Sequence, residues 1–449
     1  MSFEFEQPVI AEKREALDDK WFDRFSACGS FEDYEYLGGE KGLRDNQKKL
    51  FISGECENPI LDYPDLEKIN INQREQDLLQ LKKDILDQES NETVKQAYRW
   101  KINAKIAELR MLKETKSEND RRFLRYSKFI YGQPEKEIFD YTMNQIRKTI
   151  NKKIKDPNEN IRISAQRLLN ELGDYFESTS SDIAELRDFM KESSEAGNFP
   201  KTEFEAEEIK NAFEGALERY KLSGWEVLIG DNFTAIGVSQ ENKTVNIPTD
   251  RKMSEKKLTA LIEHEIGTHV LRRENGERSK LKLLGLGLDR YLKGEEGIAT
   301  YEEQKIEGAN EFAGLEGHLA ISLALGMDGR KRNFREVYEI LKDYYFINSK
   351  KEESEAKTYA ENTAWNRCVR TFRGTTCDTP GSCLTRDIVY REGNVGVWNV
   401  IKNNPEEVKR FTVGKYDPSN SRHIWILEQL CISEKDLEEL DSHDETLEN

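Results

Sequence analysis

Two histidines five residues apart, with a glycine between them, place the tightest local constraint on how this chain can fold. They lie in Leu258–Gly276, LTALIEHEIGTHVLRRENG, whose apolar residues recur at a helical period. Each residue of an ideal helix turns by about 100°, so positions five apart point some 140° away from each other. His264 and His269 can share a face only if one turn takes an extra residue, as a π-bulge does. Gly267 lies between them, at a place where a regular helix loses about 1 kcal/mol relative to alanine. That loss is understandable where the backbone has to leave regular geometry. The pattern predicts a helix capped at Ser254 and stopped at Asn275-Gly276.

The chain has only five histidines, and these two bracket Glu265. Zinc peptidases commonly carry two histidines on one helix, four apart, with a glutamate after the first. A metal also needs a third protein ligand and an open position for water. Downstream, GEEGIATYEEQ (Gly294–Gln304) places Glu295 and Glu296 at the start of another helical run. Taken alone, that segment is an acidic helix start, favoured by the positive end of the dipole. The histidines alone are equally compatible with a solvent-facing His-Glu pair beside an unrelated histidine. The residues by themselves leave both readings open.

HEIGTH followed by EEGIA resembles the paired signatures of the microtubule-associated tyrosine carboxypeptidases and their bacterial relatives, the flavohaemoglobin expression-modulating QEGLA-motif proteins. YPDLEK from Tyr63, FLRYSKFIYGQP (Phe123–Pro134), RTFRGT around Arg373 and LTRDIVYREG (Leu384–Gly393) are also similar to parts of that family. The resemblance spans roughly residues 59 to 430. It implies Zn2+ held by His264, His269 and Glu296, with Glu265 as the catalytic general base. The departure is Glu295, where bacterial members usually carry glutamine. The implied activity is a carboxypeptidase acting on the C-terminus of a protein or peptide. Such an enzyme must hold a terminal carboxylate, for which arginine is suited. Arg370, Arg373 and Arg386 are the candidates, the resemblance favouring the first two, and Tyr390 either offers a hydroxyl to the oxyanion or packs in the core. An endopeptidase or aminopeptidase with the same metal core, and a regulatory binding protein that retains zinc with little activity, remain alternatives. His318 reads as a core histidine, while His423 and His443 lie in the C-terminal region.

With 36% hydrophobic and 35% charged residues and only 10 prolines, the chain suits long helices with solvated faces. The expected class is a predominantly helical α+β fold. Residues 1–70 read as an N-terminal arm and 71–222 as a helical region that begins with an antiparallel pair. The zinc-peptidase core is expected over 223–433, and an acidic tail over 434–449. Trp225–Pro248 predicts two or three short strands with a turn near Glu241–Lys243. A formal charge of −17 repels phosphate backbones and anionic membranes, so neither nucleic acid nor membrane is expected as a partner. The same charge disfavours tubulin, which the resemblance implies as the substrate of animal relatives. No run of about 18 apolar residues is present, and MSFEFEQPVIAEKREALDDKW lacks a secretory pattern. Six scattered cysteines read as free thiols, with a Cys377–Cys383 bridge the lesser alternative, which points to the cytoplasm.

Overall fold

Two asparagine caps set where the long N-terminal helices begin in the computed structural model, which describes residues 16–29, 33–40, 42–117, 120–176, 183, 203–308 and 311–436. The Asn70 side chain accepts from the Gln73 amide at 3.1 Å, and the Asn91 side chain from the Thr93 and Val94 amides at 3.0 and 3.2 Å. The helices Ile71–Gln88 and Glu92–Lys113 follow, and their short connection makes them antiparallel neighbours. Leu78, Leu81 and Ile85 of the first pack on Val94, Tyr98 and Ile102 of the second. The same cluster takes in Trp21 and Phe25 from the helix Asp19–Ser26 and Leu281–Leu288 from beyond the motif helix. A larger cluster joins Leu37, Phe51 and Tyr63 to the helices Glu159–Phe176, Phe334–Asn348 and Glu353–Phe372.

Among the described residues strands are confined to two small sheets, which gives the helix-dominated α+β class that the composition predicts. β1 (Glu203–Phe204) pairs antiparallel with β5 (Met253–Ser254), while β2 (Glu226–Gly230), β3 (Gly237–Ser239) and β4 (Thr244–Pro248) form a sheet in the order β2-β4-β3. The hairpin register sets Val238 opposite Val245, with the turn over the expected Glu241–Lys243. Val245 and Ile247 point inward with Val227, onto Ile209, Phe213, Leu258, Ile262 and Ile266. The small sheet therefore backs the helix that carries the histidines. β3 is an outer strand.

That helix runs as Glu255–His264, a π-helical stretch Glu265–Val270, and Leu271–Arg278. It passes the stop expected at Asn275-Gly276. Gly276 is interior because the chain at Leu284-Gly285 crosses there, and a Cβ would lie 2.3 Å from the Gly285 nitrogen. A second close crossing concerns the helices Leu292–Glu307 and Ile388–Asn403. A Cβ on Gly297 would lie 2.4 Å from the Gly393 carbonyl oxygen, and one on Gly393 2.0 Å from that of Lys293. Small residues let the backbones touch, and polar side chains then fix the register. Asn394 and Gln304 exchange two amide bonds of 2.9 Å, and Trp398 Nε1 donates to Gln304 at 2.9 Å.

Cys377 and Cys383 are free thiols, as are the other described cysteines. Among the described residues no helix is long and apolar enough to cross a membrane. Most of the expected acidic tail, with His443, lies outside the described residues. Gly297→Ala should lower stability by roughly 1–3 kcal/mol through overpacking at the crossing. A urea denaturation midpoint equal to that of the parent would show that the two helices part freely.

Candidate metal centre

The widened turn does what the five-residue spacing requires. Thr268 Oγ1 donates to the Glu263 carbonyl five residues back at 3.0 Å. His264 and His269 then face each other with ring centroids 5.0 Å apart and planes at 82°. Gly267 has a second reason to be glycine. The Tyr220 hydroxyl donates to Glu263 Oε2 at 2.6 Å across this position, and a Cβ on Gly267 would lie 2.5 Å from that oxygen.

Glu296 is the fifth residue of Leu292–Glu307, held in place by the Gly297–Gly393 crossing. Its Oε2 lies 3.9 Å from His264 Nε2 and 4.0 Å from His269 Nε2. One ligand atom from each of the three residues falls within 4.8 Å of the others. A tetrahedral ion with ligands at about 2.0–2.2 Å sets neighbouring donors about 3.3–3.6 Å apart. The two contacts of Glu296 would have to shorten by about 0.3–0.7 Å to reach that spacing. The donor set, two imidazoles and a carboxylate, is one that suits Zn2+.

The other ring nitrogens are already engaged. His264 Nδ1 donates to Glu303 at 3.2 Å and His269 Nδ1 to Glu295 at 2.9 Å. A carboxylate on Nδ1 orients each ring and leaves Nε2 for the common point. Glu303 lies seven residues after Glu296, on the same helix face. Burial works against a charge on His264. The bond to Glu303 and the carboxylates of Glu265, Glu296 and Glu303 override it and lift the imidazole to about 9. The pocket thus attracts positive charge. Burial also pushes the Glu265 carboxyl up; His264 and His269 oppose this, while Glu296 and Glu303 add to it.

Glu295 is the hub beneath the site. It is 1% exposed and receives Lys415 Nζ at 2.7 Å, the Arg272 guanidinium in a very short contact, and His269. Burial alone would raise its pKa. Lys415, Arg272 and the bond from His269 outweigh it and hold the carboxyl well below the usual carboxylate range.

His264, Glu265, His269 and Glu296 open onto a cleft of about 810 Å³. Its rim includes Ile236–Gln240 of the β3 region, and its far wall includes Tyr34, Lys101, Lys105 and Tyr131. Among the four residues expected to bind substrate, Arg386 and Tyr390 line this cleft, whereas Arg370 and Arg373 do not. Arg370 turns its fork to Asp387, with Nε at 2.7 Å and Nη2 at 3.0 Å. Arg373 is enclosed, and burial lowers its pKa. Arg386 is 5% exposed, with no hydrogen-bond partner for Nε. His318 is fully buried beside Glu392, and His423 bridges the Asp417 amide and the Asp289 carbonyl, each at 2.9 Å. Both are structural.

A family model described as microtubule-associated tyrosine carboxypeptidase matches residues 163–436, more than half of the 449-residue chain. The chain belongs to this family. Comparison with curated proteins and with solved structures gives no match. The tyrosine carboxypeptidase match contains His264, Glu265, His269, Glu296, Arg386 and Tyr390, while YPDLEK and FLRYSKFIYGQP fall outside it. So does the far wall of the cleft formed by Tyr34, Lys101, Lys105 and Tyr131.

Sequence reasoning missed Glu303, Lys415, Arg272, Asp387 and Tyr34. Only Glu303 left a usable signal, its helical offset from Glu296. Glu295→Gln should destabilise the fold by about 3–5 kcal/mol, because Arg272 and Lys415 stay buried without a full counter-charge. Chemical denaturation checks this, and a loss under 1 kcal/mol would deny Glu295 its role as hub.

Proposed function

We propose that this chain is a zinc-dependent carboxypeptidase that removes the C-terminal residue of a protein or peptide. The supporting observation is the convergence of His264, His269 and Glu296 at the floor of a cleft, within the range matched by the carboxypeptidase family. In this reading the three side chains hold Zn2+, which supplies Lewis acidity to the scissile carbonyl and to water. Glu265 takes the proton of the attacking water and passes it to the leaving amine.

Arg386 holds the terminal carboxylate of the substrate. It lines the cleft and its Nε has no hydrogen-bond partner, whereas Arg370 spends its fork on Asp387. Tyr390, also on the cleft, directs its hydroxyl to the oxyanion. The outer edge of β3 offers backbone groups along which an extended peptide can lie. Catalytic groups then come from the core, 223–433, and the arm and helical region (1–70 and 71–222) supply the opposite wall.

The family description names tyrosine and microtubules. A chain at −17 is poorly matched to broad contact with an acidic microtubule surface. Among the described residues that line the cleft, five Lys and Arg side chains are matched by six Asp and Glu, so recognition of the substrate's end falls to Arg386 and not to a net positive cleft. Free thiols fit work in the cytoplasm.

Replacing Glu265 with Gln should cut turnover by roughly 10²–10⁴-fold while one zinc per chain is retained. Metal analysis and a peptide-release assay read the two together. Amidating the C-terminus of the peptide should abolish cleavage, and acetylating its N-terminus should not. Cleavage that persists on the amidated peptide would overturn the carboxypeptidase reading in favour of an endopeptidase.

A further inference from the structure

The matched family range begins at residue 163, yet the wall facing Arg386 is built by a segment far upstream of it. We infer that Tyr34 is a positioning residue, whose ring sets the plane of the Arg386 guanidinium so that its edge is presented to the terminal carboxylate of the substrate. This rests on the carboxypeptidase reading and adds to it a residue outside the matched range.

The Arg386 guanidinium carbon lies 3.9 Å from the centroid of the Tyr34 ring, a stacking distance. Stacking engages the face of the cation and leaves its in-plane N–H groups available. A carboxylate binds through those in-plane groups. Arg370 shows the alternative, since its two-pronged bond to Asp387 uses the edge and removes it from the cleft. Asp387 approaches Arg386 only at 3.5 Å. The Arg386 Nε has no partner, though the residue is 5% exposed and lines the cleft. A buried donor of this kind costs free energy unless a ligand meets it.

Tyr34 is itself held at both flanks. Asp33, fully buried, receives Arg74 Nη1 at 2.8 Å, Arg74 Nη2 at 3.1 Å and Lys105 Nζ at 2.7 Å. Leu37, also fully buried, closes the 3-10 turn Asp33–Leu37 against the large apolar cluster. Between these anchors Tyr34 and Glu35 face the cleft. Such anchoring is costly to build for a wall that only fills space. It is what a fixed aromatic plane requires.

The test uses the full chain loaded with zinc, an N-acetylated peptide ending in free tyrosine, and the same peptide as its C-terminal amide. Tyr34→Ala and Tyr34→Leu should each raise KM for the free acid about tenfold, with kcat and zinc content within about twofold of the parent. Tyr34→Phe, which keeps the ring, should match the parent. On the Glu265→Gln background, Tyr34→Ala should weaken binding of the acid about tenfold and leave the amide unchanged. Restoration by Leu, or equal weakening of acid and amide, would reduce Tyr34 to a filler and overturn the inference. A parent protein that binds acid and amide alike would instead remove the carboxypeptidase reading itself.

Discussion

A hydrogen-bond ladder that steps back five residues over Glu265–Val270 absorbs one extra residue, about 100° of helical rotation. That offset decides whether the imidazoles of His264 and His269 converge or diverge. Every other part of the centre presupposes it. Glu303 and Glu295 can grip the two Nδ1 atoms only when both Nε2 atoms look the same way. The turn has no intrinsic stability to spare, so its surroundings hold it open. The sheet packs behind Ile262 and Ile266, and the Tyr220–Glu263 pair crosses Gly267 on the other side.

The third donor depends on a different kind of constraint. Gly297 and Gly393 let two helices approach backbone to backbone, and the Asn394–Gln304 exchange prevents either from rotating. Glu296 inherits its direction from that lock. Its neighbour Glu295 is taken up by Arg272 and Lys415. Two adjacent carboxylates thereby serve different purposes, one set beside the imidazoles and one neutralising buried cations. Glutamate rather than glutamine at position 295 is intelligible on these terms, since two cations converge on it.

Local patterns were readable where local physics decides them. The helical pair, the hairpin and the irregular turn at Gly267 all follow from period, turn chemistry and spacing. The stop expected at Gly276 was misplaced because glycine serves chain termination and close packing equally, and only the crossing of Leu284-Gly285 tells the two apart. Among the arginines, types and positions were visible, but whether an edge is free depends on where Asp387 lies in space. The contribution of Tyr34 left no periodic trace at all. It reaches the cleft through ion pairs with residues forty or more positions away.

Among the described residues, Lys415 is the last along the chain to line the cleft, and it also anchors Glu295. A ribosome-bound chain therefore exposes its histidine pair well before the cation that steadies the underlying carboxylate has been synthesised. For a protein read as a peptidase, completing the cleft last along the chain is a form of restraint: the growing chain and its neighbours on the ribosome meet an unfinished blade.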